Sequence, residues 1–439
     1  MNELIAVNLA EGNKVKADDD LSKLTRWMRD DVQAYLEFAT EYMSAGAYEE
    51  AAEVLIRLEV KGKTFPMLYY YLGYINMIQG DNDKAIAYYK KANIMPSDYC
   101  FPFRSEESTI LNNAMAMDPN SAKAPYYLGN LYYEDQPHKA IELWEKSAAL
   151  DPQFSIVHRN LGLAYNEIEG DYDKALVSMN KATDVSEGDN TRLLVEVDAL
   201  YELTRVPPKE KYDFWMQNYE TATKRDEALL RLITRTVEYG MYDEALNILK
   251  VNDISETEGS REIQDAYLNS YTLRALASLE NKDYQNALLD IENAFAYPMG
   301  LYGRGRYAQL YYLKGVIYEA LNDEEKSHDF FEDALEVVTD RGDDREYDYY
   351  KGLALLKLNN PDKAESLFYN MLGDTEDTSA YTQFGGQRSG IAQQVTNHFM
   401  NGLGHMGLGD KVKASAEFEK VLELNPGHIW SRTYLNSLK

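Results

Sequence analysis

The sequence predicts an all-α fold, a solenoid of about ten helix pairs, from three observations. A small residue is followed twelve positions later by a second small residue at several places along the 439-residue chain. Large apolar residues recur at spacings of three, four and seven around each pair, which places them on one helix face. All 12 prolines fall at predicted helix breaks or in a first helical turn, and Val/Ile-rich alternation is nearly absent, so we expect no sheet.

Each repeating unit is predicted to be two short amphipathic helices joined by a turn. The helices should cross at the small residues, because only Gly, Ala or Ser lets the axes approach closely, and a bulky residue follows the second small residue by four positions. The pairs at a spacing of twelve are Ala39/Ala51, Gly73/Ala85, Ala275/Ala287, Gly315/Ser327, Gly352/Ala364 and Gly402/Ala414, while Gly129/Ala140 and Gly162/Ala175 depart from it by one. The predicted turn residues are Gly46, Gly80, Gly240, Asn322, Asn359 and Gly409.

This pattern resembles the tetratricopeptide repeat (TPR), whose 34-residue unit places W-x-x-L-G-x-x-Y and then Ala, Phe, Ala and Pro in this order. The best matches are YYYLGYINMIQGDNDKAIAYYKKANIMP (69–96), PYYLGNLYYEDQPHKAIELWEKSAALDP (125–152) and GLGHMGLGDKVKASAEFEKVLELNP (402–426). The resemblance implies a right-handed α-solenoid, a superhelix whose inner surface comes from the first helix of each unit.

The register of the repeat divides the chain into segments, including an extra helix near Ser105–Met117 and a degenerate unit with helices at 190–204 and 207–223. The predicted segments are an N-terminal linker (1–20), repeats one and two (21–98), the inserted helix (99–120), repeats three and four (121–190), degenerate repeats five and six (191–260), repeats seven to nine (261–372), a long loop (373–392) and a C-terminal repeat (393–439).

A narrower resemblance follows from the order of several longer segments, among them SDYCFPFRSEE, AFAYPMGLYGRGR and HFMNGLGHMGLGD. Their order is similar to the C-terminal repeat region of a family of large bacterial proteins. In that family a β-rich domain of unknown function, linked to carbohydrate utilisation, precedes the array. The resemblance covers about residues 21–439 and implies a helper or scaffold region without catalysis of its own.

Charge and cysteine content limit the partners. The chain has 45 basic and 73 acidic residues, a formal net charge of −28, which would be repelled by nucleic acid and by anionic lipid. The single cysteine, Cys100, cannot form an internal disulfide, and no stretch approaches a membrane-spanning helix. The start lacks the layout of a signal peptide. We therefore expect an acidic, cytoplasmic protein that binds neither nucleic acid nor membranes.

No constellation of residues in the sequence indicates an enzyme, a cofactor or a metal. His398 and His405 are seven residues apart but fall at large-residue positions of the repeat, which favours packing. Two glycine-rich segments, 300–306 and 384–390, fit neither the dinucleotide-binding nor the triphosphate-binding pattern. Their arginines sit beside backbone N–H groups and are candidate docking points: Arg304, Arg306 and Arg388.

The inner surface of the array is the predicted binding site. Its side chains, here called groove positions, stand six and three residues before, and one and four residues after, the small residue of each first helix. Tyrosine at such positions suits a peptide or a sugar, and packing between repeats is the alternative. The partner-binding candidates are Tyr70, Tyr74, Lys123, Tyr126, Asn130, Tyr133, Arg159 and Asn166, and later units add Tyr312, Tyr349 and Phe399.

We expect a non-catalytic TPR scaffold that binds a protein segment, or a linked N-terminal domain absent from this chain, through this tyrosine-lined groove. The alternative is a carbohydrate-binding or accessory region of a bacterial sugar-processing protein, in which the aromatic side chains hold a glycan.

Overall fold

The computed structural model describes residues 1–29, 31–60, 62, 65–254, 261–297, 304–339, 342–373 and 390–439, without the side chains of residues 6, 9 and 342–344. All regular secondary structure in this part of the chain is helical. The chain divides into two compact units, Met1–Gly188 (unit 1) and Asp189–Lys439 (unit 2). Each unit is an α-solenoid of consecutive helix pairs, which confirms the predicted fold class.

Unit 1 contains five helix pairs and one inserted helix. The pairs are α1 (Asn2–Ala10) with α2 (Lys14–Met28), α3 (Val32–Ser44) with α4 (Tyr48–Val60), α5 (Pro66–Ile78) with α6 (Asn82–Ile94), α8 (Lys123–Tyr132) with α9 (Pro137–Leu150), and α10 (Ser155–Ala164) with α11 (Tyr172–Asp184). The inserted helix is α7 (Ser105–Met117), with the bounds that the sequence predicts. A π-helical turn, Tyr165–Glu169, continues α10.

Unit 2 begins with three helices that do not form a regular pair and continues with five pairs. The first three are α12 (Thr191–Leu203), α13 (Pro208–Gln217) and α14 (Tyr219–Ala222), which pack against α15 (Asp226–Tyr239). The remaining helices are α16 (Tyr242–Val251), α17 (Glu262–Glu280), α18 (Tyr284–Ala296), α19 (Arg306–Ala320), α20 (Glu324–Glu336), α21 (Asp348–Lys357), α22 (Pro361–Asn370), α23 (Gly390–Gly407), α24 (Lys411–Leu424) and α25 (Ile429–Leu438), with a 3₁₀ turn at Gly342–Tyr347.

The N-terminal residues 1–20 are not a linker, so this prediction is wrong. They form α1 and the start of α2, which bury Ile5 and Ala17 to 3% and 2% exposure. Asn2 donates to the Tyr42 hydroxyl at 2.7 Å and accepts from Arg57 at 3.0 Å, so α1 is fixed to the next pair. The sequence pattern missed this pair because it lacks the spaced small residues.

The predicted helix crossings are confirmed. A Cβ atom built on Gly73 would lie 2.4 Å from the Tyr89 ring, and one on Gly129 would lie 2.4 Å from Nε1 of Trp144. The bulky residue four positions after the second small residue thus packs directly on the glycine of the first helix. The same contact recurs at Gly315 with Phe331, Gly352 with Phe368 and Gly402 with Phe418.

The predicted turn residues adopt the conformation that marks a helix end. All six have positive φ, between 60° and 99°, a region that glycine and asparagine enter most readily. Of the predicted loop at 373–392, residues 374–389 lie outside the described residues, and Gly390 already begins α23.

Candidate functional site

Two of the predicted groove tyrosines in unit 1 are packing residues. Tyr70 is fully buried, and its hydroxyl donates to Oδ1 of Asn93 at 2.9 Å. Tyr126 is 4% exposed, and its ring packs against Phe154 at a centroid distance of 4.9 Å. Neither tyrosine offers a surface for a partner, because each fills the space between successive repeats. The packing alternative therefore holds at these two positions.

Two further groove positions of unit 1, Lys123 and Tyr74, are half-buried. The Lys123 ammonium donates to the carbonyl of Met95, and burial lowers the pKa of this lysine. Asp98 and Asp151 are close enough to oppose that shift. Lys123 thus holds the end of repeat two against repeat three and is not a free cation.

Asn130 joins three helices through its amide oxygen. This Oδ1 accepts from Nε1 of Trp144 on α9 and from Nδ2 of Asn160 on α10, both at 3.1 Å. The Tyr133 hydroxyl donates to Glu167 at 2.8 Å, and burial together with that carboxylate raises the pKa of Tyr133 to about 12. These contacts fix the spacing of α8, α9 and α10.

Arg159 and Asn166 lie on α10 and on its π-helical continuation, where both are half-buried. Together with Asn130 and Tyr133, they make up the polar part of the surface that the sequence predicts. Asn130 lies on α8 and Tyr133 directly follows this helix, and the binding role of the four residues stays a prediction.

Three exposed aromatic side chains of unit 1 lie close together in the segment before α7, to which the sequence gives no predicted binding role. Tyr99, Phe101 and Phe103 are 89%, 69% and 61% exposed, whereas the intervening Cys100 and Pro102 are buried. The alternation of aromatic residues in SDYCFPF was the available signal. We call Tyr99, Phe101 and Phe103 the aromatic triad.

The segment that carries the aromatic triad is anchored at its C-terminal end. The carboxylate of Glu107 accepts from the backbone N–H groups of Phe103 and Arg104 at 2.8 and 3.0 Å, and Arg104 pairs with Glu37 on α3 at 2.5 Å. Burial raises the pKa of the Cys100 thiol to about 12, so this cysteine is a packing residue. The triad is therefore held in place while its rings face solvent.

The structure describes two of the three arginines of the glycine-rich segments, and these two differ in exposure. Arg304 is exposed just before α19. Arg306 is 4% exposed, donates to Oδ1 of Asn269 and stacks over the Trp430 ring at 5.6 Å. Its role as a docking point in an open loop is thus wrong, because neighbouring helices cover it. Arg388 lies outside the described residues.

In unit 2 several groove positions contact the C-terminal helix, α25. Trp430 donates from Nε1 to Oδ1 of Asn269 at 3.0 Å, and the Tyr434 ring lies 5.9 Å from that of Tyr349 and 6.2 Å from that of Phe399. Asn269, Tyr349 and Phe399 are groove positions of α17, α21 and α23, and we call them, with Gln309 of α19, the unit 2 groove. Its two aromatic residues, Tyr349 and Phe399, are buried.

A buried ion network lies at the start of unit 2, where it joins α12, α13 and α15. The carboxylate of Asp198 is fully buried and accepts from Nε and Nη2 of Arg235 at 2.9 and 2.7 Å and from Nε1 of Trp215 at 2.7 Å. Despite its burial, hydrogen bonds from Arg235 lower the pKa of Asp198. Lys211 is also buried and pairs with Glu202 at 2.6 Å. We assign this network a structural role, because each charge has an opposite partner.

Among the described residues, one group of side chains has the spacing of metal ligands: His328, Asp329 and Glu332 on α20. All three are exposed, and exposed acidic groups of this kind are common without an ion, so we assign no metal here. His398, which the sequence places in a packing position, pairs with Glu417 at 2.6 Å.

The fold and these surfaces define a helical-repeat scaffold, and comparison with known proteins specifies the type of repeat. Residues 36–98 and residues 308–337 match models of the tetratricopeptide repeat. One match lies in each unit, so the chain contains tetratricopeptide repeats in both. In the described part of the chain, none of the helices has the length and apolar character needed to cross a membrane.

Several solved TPR structures are similar to parts of the chain. The crystal structure of MamA is 26% identical with a TM-score of 0.20, over 40% of this chain and 91% of that chain. YrrB, described as a TPR protein with an unusual peptide-binding site, is 16% identical with a TM-score of 0.29, over 57% and 97%. A thermophilic TPR protein in Thermus thermophilus is 18% identical with a TM-score of 0.25, over 47% and 98%. These TM-scores are too low to transfer a ligand or a partner.

Proposed function

We propose that this chain is a non-catalytic TPR scaffold and that unit 1 binds a protein segment. The segment comes from a separate protein or from a domain linked to this chain. Its binding surface consists of the aromatic triad and of the polar residues Asn130, Tyr133, Arg159 and Asn166, which stand at groove positions of the next two helix pairs.

The exposure of the aromatic triad is the observation that supports this proposal. Soluble proteins rarely expose neighbouring large aromatic side chains unless that surface contacts a partner. Rigid aromatic rings also dominate binding energy at protein interfaces. The anchoring of the segment by Glu107 means that little conformational freedom is lost when a partner binds.

Lys123 and Tyr126 lie near both the segment of the triad and the polar residues. Asp98 and Cys100, on either side of Tyr99, interact electrostatically with Lys123. Tyr126 in turn interacts with Cys100 and with Arg159 of α10. A bound segment could therefore place apolar side chains on the triad and polar groups along α8 and α10.

Charge specifies the chemistry of the segment. Residues 1–188 contain 30 acidic and 18 basic side chains. Complementary charge speeds association and suppresses wrong partners, so the segment we propose is net basic and carries apolar side chains.

A selection from a random displayed-peptide library on the full chain tests the proposal. Selected peptides should be basic and apolar, and the triple variant Tyr99→Ala/Phe101→Ala/Phe103→Ala should bind them about tenfold or more weakly, because the ring contacts are lost. The matched control is Ile94→Ala/Val177→Ala, which also removes exposed apolar side chains, 85% and 71% exposed, from unit 1.

Equal affinities for the parent and the triple variant would overturn the proposal, as would an equal loss in the control. Binding of the parent and the triple variant to an oligosaccharide array tests the carbohydrate alternative, which stays a prediction. If the triple variant lost glycan binding while the selected peptides were unaffected, the surface would be a carbohydrate site and not a peptide site.

A further inference from the structure

The C-terminal helix α25 is bound by helices that lie far from it in the sequence. Trp430 is hydrogen-bonded to Asn269, 161 residues away, and Nη1 of Arg432 donates to the backbone carbonyl of Glu238 at 2.6 Å, 194 residues away. A helix that merely capped the last repeat would need only its contacts with α24. Instead α25 contacts α15, α17, α21 and α23 through its side chains.

The residues that receive α25 are the groove positions of unit 2. Asn269 stands six residues before Ala275, Tyr349 three before Gly352, and Phe399 three before Gly402. The repeat pattern predicts that side chains at these positions line the ligand-binding surface. The helix α25 thus lies where an external ligand of unit 2 would lie, and it shows which ligand chemistry the groove accepts.

The fit between α25 and the groove is incomplete. Within the described part of the chain, three buried polar atoms at this contact have no hydrogen-bond partner, namely Nε of Arg306, Oε1 of Gln309 and Oγ of Ser431. A small cleft lies at the same contact, and its lining includes Gln309, Tyr350 and Trp430. A buried polar atom without a partner weakens an interface, so a ligand that satisfied these atoms would compete well with α25.

The link between α24 and α25 is short. It consists of residues 425–428 and contains Pro426 and Gly427. Gly427 lies against the Glu238 carboxyl group, to which a Cβ atom would come within 2.7 Å. Because the link is short, α25 faces the groove at a high effective concentration, and a separate ligand competes only when its own contacts are stronger.

We propose that the unit 2 groove is a binding site for a protein helix and that α25 is its intramolecular occupant. The partner helix carries two aromatic side chains one turn apart, as Trp430 and Tyr434 are in α25, and it displaces α25 when it binds. This site is separate from the surface proposed in unit 1, and it involves no residue of the aromatic triad.

A labelled peptide of residues 425–439 tests the proposal on the full chain. In the variant Trp430→Ala/Arg432→Ala, α25 loses its bonds to Asn269 and to the Glu238 carbonyl, so the whole helix, including Tyr434, should leave the groove. This variant should bind the peptide about tenfold or more tightly than the parent, because the groove is no longer occupied. Asn436→Ala, on the exposed side of α25, is the matched control and should behave as the parent does.

Two further variants test whether the peptide binds in the unit 2 groove through its aromatic side chains. The same peptide with alanine in place of Trp430 and Tyr434 should not bind, and adding Asn269→Ala to the double variant should weaken binding of the natural peptide about tenfold. Circular dichroism of each variant checks that the helices are retained. Equal peptide affinity for the parent and the double variant, or no binding to either, would show that α25 is only a structural helix.

Discussion

The two units carry the same helix pairs but differ at the surface where a TPR array binds its ligands. In unit 1 an inserted segment presents Tyr99, Phe101 and Phe103 to solvent. In unit 2 the groove positions Tyr349 and Phe399 are 4% and 6% exposed, and both rings lie beside Tyr434 of α25. One repeat pattern can therefore give an available surface or an occupied one, depending on which additional segment accompanies the helix pairs.

Replacing a glycine at a helix crossing should destabilise unit 1 and unit 2 equally. This is the largest effect that we predict. Gly129→Leu in unit 1 and Gly352→Leu in unit 2 force a side chain into Trp144 and Phe368, at 2.4 and 2.3 Å from Cβ alone. Each substitution should lower the free energy of unfolding by about 1–3 kcal/mol through overpacking. Chemical denaturation measures this change.

The control for these two substitutions is Gly390→Ala at the start of α23, where a Cβ atom meets nothing within 4 Å. It should leave the free energy of unfolding within about 0.5 kcal/mol of the parent. If either leucine variant were as stable as this control, the helix crossing in that unit would be wrongly assigned.

A smaller predicted effect is that the docking of α25, in unit 2, depends on pH. His428 accepts from the Ser431 N–H through Nδ1 at 3.2 Å and thereby caps α25, and its ring lies 4.6 Å from that of Phe399. Burial, together with the charge of Arg432, lowers the pKa of His428 to about 4. The free histidine titrates near pH 6.5. Between about pH 6.5 and pH 4, the undocked helix therefore gains a proton that the docked helix does not hold.

Docking of α25 should consequently be strongest above pH 6.5 and weaken as the pH falls toward 4. The rate of proteolytic cleavage within 425–439 should rise over this interval. His428→Asn keeps a capping acceptor but does not titrate, so its cleavage rate should change less with pH. An identical pH profile for the parent and His428→Asn would exclude His428 as the cause.

Much of the fold could be predicted from the sequence because its determinants are local. The spacing of Gly73, Ala85 and Tyr89 places the glycine against the tyrosine ring within a single helix pair, whatever the rest of the chain does. The turn residues, such as Gly80 and Asn322, are predictable because each adopts a positive φ that its residue type favours. The inserted helix α7 has a similarly local signal. The pair formed by α1 and α2 was missed because its contacts, such as Asn2 with Tyr42, do not follow the repeat spacing.

The candidate sites were harder to predict because burial depends on distant segments. Tyr70 and Tyr126 stand at groove positions, yet one is hydrogen-bonded to Asn93 and the other packs on Phe154. The covering of the unit 2 groove depends on contacts between residues 161 and 194 positions apart, to which no sequence spacing points. Arg306 was misassigned for the same reason, since α25 supplies the ring above it.

Unit 1 presents the aromatic triad to solvent, while in unit 2 α25 occupies the groove beside Tyr349 and Phe399. Hydroxyl-radical footprinting of the full chain tests this directly. In the parent, Tyr99, Phe101 and Phe103 should be oxidised rapidly, and Tyr349 and Phe399 slowly. In Trp430→Ala/Arg432→Ala, oxidation should increase at Tyr349 and Phe399 and stay unchanged at the triad. Protection of the triad in the parent, or unchanged rates at Tyr349 and Phe399 in the variant, would contradict the account.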